Sequence, residues 1–412
     1  MNLGRAVGLR PAIRALTIFF AWLGVEERVP TYQSVRSWMQ RLGLHRLQSA
    51  QAKNGGVWLT DHSHQIGKEK IFVVLRVPER HPGTPVRQDE AEFLAIVPRE
   101  SWKREDVGEE YRKIANRFGV PRAVASDGAV ELREPVATLG TPENRPLSLR
   151  DPKHFLANQL EALLKRDPQW AAFNQHIAGT RCALQQTELS HFVPPGFKTK
   201  ARFMNLEPTL NWAWTVLWHL DHPESKSRQG IPESRLREKF GWLRDFTTSL
   251  SQWRECQTVI SAGLTFLNAA GLYPGVADRF EAHVTPLSQS PTSRDLIQKT
   301  VQFLRDHEAS LQAGERLTMS TEVLESTFAL YKQLERQHSK SGFTNLLLAF
   351  PTLMRKTTRQ EVTASLAQVT VADVQRWTQE NIPRTLAAKR REMYREARGK
   401  GQASATKEAT AA

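Results

Sequence analysis

The sequence predicts an α/β protein: a mixed five-stranded sheet, preceded by a helix pair and interrupted by a large all-helical insertion. Three observations predict it. Short apolar runs rich in β-branched residues follow one another between residues 57 and 97, the pattern of strands joined in a meander. A stretch with helical spacing, 106–118, separates the last of them from a fourth run at 120–127. A helix between two strands is a crossover, which lays the later strand parallel to one already in the sheet. From about residue 156 to 315 strand-like runs give way to helical spacing.

With 412 residues, 40% hydrophobic and 24% charged, the chain is long enough for two or three globular domains, and its composition excludes a disordered protein. Lys and Arg number 57 against 43 Asp and Glu, a formal charge of +14. That excess favours a polyanionic partner, nucleic acid before an anionic membrane. Cys182 and Cys256 stand far apart with no ligand-like spacing, so neither a disulfide framework nor a zinc site is expected, and a reducing cytoplasm is the natural compartment. The run LTIFFAWLGV at 16–25 imitates a signal peptide, but it leads into Glu26-Glu27-Arg28 without a small-residue cleavage site and is too short to span a bilayer.

Taken in order, residues 9–23 fit a first helix stopped by Gly24. Thr31 is placed to N-cap a second, with Val35, Trp38, Met39 and Leu42 on one apolar face and Gly43 as its end. The other face offers Gln33, Arg36, Ser37, Gln40 and Arg41. A helix-turn-helix needs such a polar, basic helix to enter a major groove; an ordinary helical hairpin satisfies the same residues. The run VWLT at 57–60 ends on Asp61, and KIFVVLRV at 70–77 reads as its antiparallel neighbour. A Pro- and Arg-rich insert at 78–87 precedes a third strand at 92–97.

The fourth run again closes on an acid, Asp127. If its neighbour is the first strand, Asp61 and Asp127 come side by side at one sheet edge. An Asp after a strand is also a common turn former. Residues 147–150 are a fifth short strand, and Asp151-Pro152-Lys153-His154 opens a helix to about 165. The helical span beyond carries Trp170, Trp212, Trp214, Trp218, Trp242 and Trp253, residues that form cores or stack on bases. Its basic stretches, 198–202 and 226–237, suit either DNA or a solvated helix face. At 321–332, TEVLESTFALYK places Leu324, Phe328 and Tyr331, with Leu334 just beyond, on a buried side, with Glu325 beside it and Lys332 two turns on. A Glu in such surroundings is costly unless it is paired or bound to a metal. An apolar helix at 345–350 closed by Pro351, helices near 360–367 and 371–380, and a basic tail complete the chain.

WLTDHSHQIG before KIFVVLRV, VPRAVASDGA and LESTFALYK together resemble the DDE-type transposases of bacterial insertion sequences, whose catalytic core is ribonuclease H-like. PTYQSVRSWMQRLGL ahead of them fits the DNA-binding helix-turn-helix of that family. The resemblance implies that Asp61, Asp127 and Glu325 hold two Mg²⁺ ions, with Mn²⁺ a possible substitute, and that Lys332 contacts phosphate or the displaced strand. It implies that His62, His64, Gln65, Asp151 and His154 support the site without holding metal, although Asp151 equally suits a helix N-cap. Partners would be double-stranded transposon ends and target DNA, with further copies of the chain in a synaptic complex, no membrane, and a cytoplasmic, nucleoid-associated location. The division implied is a helix-turn-helix region at 1–50, core at 51–155, inserted helical domain at 156–315, core with the Glu helix at 316–352, and C-terminal helices and basic tail at 353–412. A non-catalytic DNA-binding derivative, or another two-metal nuclease on the same fold, would share these features.

Overall fold

The computed structural model describes residues 7–62, 65–66, 69–196, 203, 205–222, 224–225, 230–336, 345–382 and 390–397. Two compact units divide the chain: residues 1–79, 86–148 and 321–412 form the first, and 80–85 with 149–320 the second.

The first unit is built on a mixed sheet of β1 (Val57–Asp61), β2 (Gln65–Ile66), β3 (Glu69–Val77), β4 (Glu92–Arg99), β5 (Ala123–Ser126) and β6 (Leu147–Arg150), of which Leu147 and Ser148 fall in this unit. The five principal strands lie in the order β4-β3-β1-β5-β6. β1, β3 and β4 form the antiparallel meander that their spacing predicts, and β5 runs parallel to β1. The two-residue β2 extends the β1 side of β3, since Lys70 pairs with Gln65 there and with Arg99 of β4 on the opposite side.

Ile71 through Leu75 of β3 are all fully buried, as a continuous apolar run must be when both faces of a sheet are covered. One face packs Trp58, Phe72, Val74 and Val124 against Tyr111, Ile114 and Phe118 of the crossover helix Arg104–Phe118. Toward the other, Phe93 of β4 meets Phe350 at 5.0 Å, and Phe350 meets Phe328 and Tyr331 of the helix Glu322–Arg336. Phe350 belongs to a 3₁₀ segment, Asn345–Leu353, that contains Pro351 instead of ending at it. The expected α-helix is replaced there by the tighter winding used in short pieces.

The helices Leu9–Trp22 and Tyr32–Gln48 form the expected N-terminal pair, and Thr31 caps the second by accepting the Ser34 amide (3.1 Å). That helix does not end at Gly43; it continues for more than a turn, because Gly43 is a contact and not a stop. A Cβ there would lie 1.5 Å from the carbonyl oxygen of Leu348, so the missing side chain is what lets the 3₁₀ segment cross the helix. Arg46 is buried, paired with Glu361 at 2.8 Å and donating to the Pro351 carbonyl at 3.0 Å. The helices Arg359–Gln368 and Val371–Asn381 follow as the spacing predicts, each capped by a threonine.

The second unit is helical, with Pro152–Leu164, Pro168–Leu184, Glu207–Asp221, Glu233–Phe240, Thr247–Ala270, Val276–Val284 and Pro291–Glu308 as its main helices. It begins at residue 149, ends at 320, and takes in 80–85 from the Pro-rich insert between β3 and β4. His81 joins it through its amide, which donates to the Arg316 carbonyl (2.8 Å). One β-bridge, Leu272 to Leu317, departs from the all-helical expectation. Trp170 and Trp253 are buried and meet edge to face at 5.0 Å, while Trp253 donates its indole N–H to Asp167 (2.9 Å). Trp218 is instead half exposed and stacks on His222. The basic run 198–202 and residues 226–229 lie outside the described residues, as do 337–344 and the tail beyond 397.

Candidate active site

The register between β1 and β5 builds the site. Val57 pairs with Ala123, Trp58 with Val124 and Leu59 with Ala125; two further steps along each chain set Asp61 beside Asp127. Side chains alternate faces along a strand. Trp58 and Thr60 therefore point to the crossover-helix face, and Leu59 and Asp61 to the opposite one, where the helix Glu322–Arg336 packs against β1. Glu325, Ser326 and Lys332 of that helix are half-buried, and Gln88, just before β4, holds it by donating its side-chain amide to Ser326 Oγ (3.0 Å).

The electrostatics of Asp61 show which charges surround it. Its carboxyl is pushed up to about 7, first by burial, then by the negative charges of Asp127 and Glu325; the His62 amide and the Lys332 ammonium act in the opposite direction. Two acids and one cation, drawn from two stretches far from Asp61 in the sequence, thus act on its side chain. Burial penalises a charged carboxylate, and neighbouring like charge adds to that penalty.

Among the described residues, no group of three His, Cys, Asp or Glu side chains stands already closed around a metal-sized point. Asp127 is turned to its own loop, where Oδ1 accepts the Ala129 amide at 2.8 Å. The donor set itself, carboxylates alone, suits hard divalent cations that prefer oxygen to nitrogen or sulfur. A cation beside Asp61 would favour its ionised form and so reverse the local upward shift.

Several supporting groups escape sequence reasoning. Beneath the acids, Thr60 Oγ1 and the Tyr111 hydroxyl are 2.9 Å apart, and Tyr111 donates onward to the Leu132 carbonyl (3.2 Å). Tyr111 is fully buried, which raises its phenol above its ordinary value. Helical spacing identifies it only as core; the hydroxyl carries the added information. Glu131 holds His62, with Oε1 3.1 Å from Nε2. No spacing rule announces that pair, because Glu131 sits in a four-residue helix behind Gly128, whose φ of 91° bends the chain after Asp127.

The other expected residues fall as follows. His64 and the side chain of Gln65 lie outside the described residues. Asp151 is the buried N-cap of the helix Pro152–Leu164, accepting the His154 amide at 2.9 Å in the second unit. On the helix Tyr32–Gln48, Gln33 is exposed, and Arg36 and Ser37 are half-buried. Gln40 is 6% exposed, and Arg41 donates to the carbonyls of Val369 (2.6 Å) and Leu366 (2.5 Å). Helical periodicity places both outward, but Gln40 is buried and Arg41 is held by the C-terminal segment. Neither protein-family models nor curated proteins yield a match to this chain.

Proposed function

We propose that the protein is a metal-dependent polynucleotidyl transferase of the DDE transposase type, acting on the ends of a mobile DNA element. The observation that carries this reading is the shared field at Asp61, to which Asp127, Glu325 and Lys332 all contribute. The strand order, with three antiparallel strands and β5 parallel to β1, supports a ribonuclease H-like core. The three carboxylates would hold two Mg²⁺ ions, with Mn²⁺ able to substitute. When bound, such ions activate an attacking oxygen and stabilise a leaving oxygen during in-line displacement at phosphorus.

The chain's own residues supply position and charge. Asp61 ends β1 and Asp127 directly follows its paired strand β5, so the sheet brings their backbones to one edge. Glu325 is presented by a helix anchored through Phe328 and Tyr331. Lys332 places a positive charge beside the site, suited to a phosphate of the bound strand. Glu131 holds the His62 ring next to Asp61, in a position to orient DNA at the rim. The charge of +14 would draw the duplex by displacing its counterions. Gln33, Arg36 and Ser37 remain the candidates for reading DNA from the N-terminal helix pair. Pairing of two DNA ends would take place between copies of the chain.

The test is cleavage and strand transfer on the terminal repeats flanking the gene, with Mg²⁺ present. Asp127→Ala and Glu325→Ala are expected to lower both activities by roughly a thousandfold or more, a loss comparable to removing a principal electrostatic contributor, while duplex binding persists. Full cleavage by either variant would refute the assignment. Hydrolysis without joining of a precleaved 3′ end would instead identify a nuclease on the same fold.

A further inference from the structure

Two hydroxyl groups lie in a part of the core that packing alone would leave apolar. Tyr111 sets its ring against Phe72 (5.7 Å between centroids) and Trp58 (6.3 Å) in a cluster of apolar side chains, and both Tyr111 and Thr60 are fully buried. A phenylalanine would make the same ring contacts without taking a hydroxyl out of water, a transfer that is costly unless the group is hydrogen-bonded. The partners fix the direction of both bonds. A carbonyl only accepts, so the single Tyr111 proton goes to Leu132 (3.2 Å), and Thr60 must donate to the phenol oxygen (2.9 Å).

This relay joins three elements of the first unit. Thr60 precedes Asp61 at the end of β1, Tyr111 belongs to the crossover helix, and Leu132 to the short helix Val130–Arg133 that follows Asp127. Asp127 is tied to the start of that segment by the Ala129 amide, and its charge reaches the Tyr111 hydroxyl. On the other side of Asp61, His62 is held to Glu131 of the same short helix (3.1 Å). Both neighbours of Asp61 are thus fastened to the segment that carries Asp127. The paired register of β1 and β5 ends at Leu59 and Ala125, so beyond it these side-chain ties, and not the sheet ladder, set the spacing of the two acids.

We infer that Tyr111 is a positioning residue which, through Thr60 and Leu132, fixes the spacing of Asp61 and Asp127 and makes their site select Mg²⁺ over the larger Ca²⁺. The inference rests on the metal-holding role proposed above for these acids. Mg²⁺ demands near-ideal octahedral geometry at about 2.0–2.1 Å, whereas Ca²⁺ accepts a flexible oxygen shell at about 2.3–2.6 Å. Carboxylates whose backbones cannot drift apart favour the smaller ion. Released from each other, they lose that preference and keep the larger one.

The test measures displacement of Mn²⁺ from the full chain by Mg²⁺ and by Ca²⁺, with free Mn²⁺ read by electron paramagnetic resonance, for the wild-type chain, Tyr111→Phe, Thr60→Val and the double variant. Removing the phenol hydroxyl is expected to weaken Mg²⁺ binding about tenfold, the low end for groups that orient metal ligands, and Ca²⁺ binding by less than about twofold. Thr60→Val keeps the side-chain shape and is expected to do the same; the double variant should lose no more than either, as groups acting through one network do. A Mg²⁺ to Ca²⁺ preference unchanged in both single variants, with only the melting temperature lowered, would make the relay a matter of core packing and overturn the inference. Asp61→Asn separates the two levels of the argument. Mn²⁺ binding that survives it would remove the metal-holding reading and this inference together, whereas binding lost in Asp61→Asn but indifferent to Tyr111→Phe and Thr60→Val would sink this inference alone.

Discussion

At the scale of single residues, Asp61 is the most informative group. Its carboxyl titrates near pH 7 in the fold and near 3.9 in an unfolded chain, so the folded state binds the proton more tightly. Below about pH 4 the residue is protonated in both states and contributes no pH dependence. As pH rises from about 4 to 7 the unfolded form loses its proton first, and stability falls, by on the order of 4 kcal/mol in all. Above pH 7 the loss is complete and the curve flattens. In chelator, melting temperatures are therefore expected to decline across this window, with Asp61→Asn removing most of the slope and Mg²⁺ raising stability at pH 8 in the wild-type chain alone. An unchanged slope in Asp61→Asn would mean that other groups set it. Asp61, Asp127 and Glu325 were legible in the sequence because each interrupts or ends an apolar pattern where a charge is costly. Glu131 and the Tyr111 hydroxyl were not, since their roles depend on a partner that no periodicity encodes.

At the scale of elements, the strands and the crossover helix follow from local pattern, and the antiparallel and parallel pairings follow from the length of their connections. The helix Tyr32–Gln48 marks the limit of that reasoning. A glycine late in an amphipathic helix reads as a terminator, but Gly43 is there because the Leu348 carbonyl crosses the helix at that point. The deciding contact lies far along the chain. For the same reason Arg41 and Arg46 look like surface cations until their partners, the Val369 carbonyl and Glu361, are brought against them. Gly43→Ala is expected to destabilise the protein by about 3 kcal/mol or more, since backbone and not a flexible side chain must move. Gly179→Ala, in a helix with open space around the added methyl group, is expected to stabilise it by roughly 0.5–1 kcal/mol. Denaturation midpoints of the two variants should shift in opposite directions; a tolerated Gly43→Ala would show that the crossing can separate.

At the scale of the whole molecule, the net charge of +14 leads to a measurable dependence on ionic strength. If six or more phosphates are contacted, duplex affinity is expected to fall by roughly a thousandfold between 50 and 200 mM salt, as read by fluorescence anisotropy. A nearly flat dependence would remove DNA as the natural partner. The helical character of the second unit was plain from its sequence, but its recruitment of residues 80–85 was not, because that segment reads as a polar loop between two strands.

The acids that meet at Asp61 are separated along the chain by the long stretch of the second unit, 149–320: Asp61 and Asp127 precede it, and Glu325 follows it. A ribosome therefore releases two of the three carboxylates long before the last. Any product of premature termination upstream of Glu325 would carry the N-terminal helix pair without a complete set of acids. Such fragments are expected to leave terminal-repeat DNA uncut, which a nicking assay on the 1–320 polypeptide would check. On the proposed function, a gene arranged in this way would not endanger its host chromosome through incomplete translation.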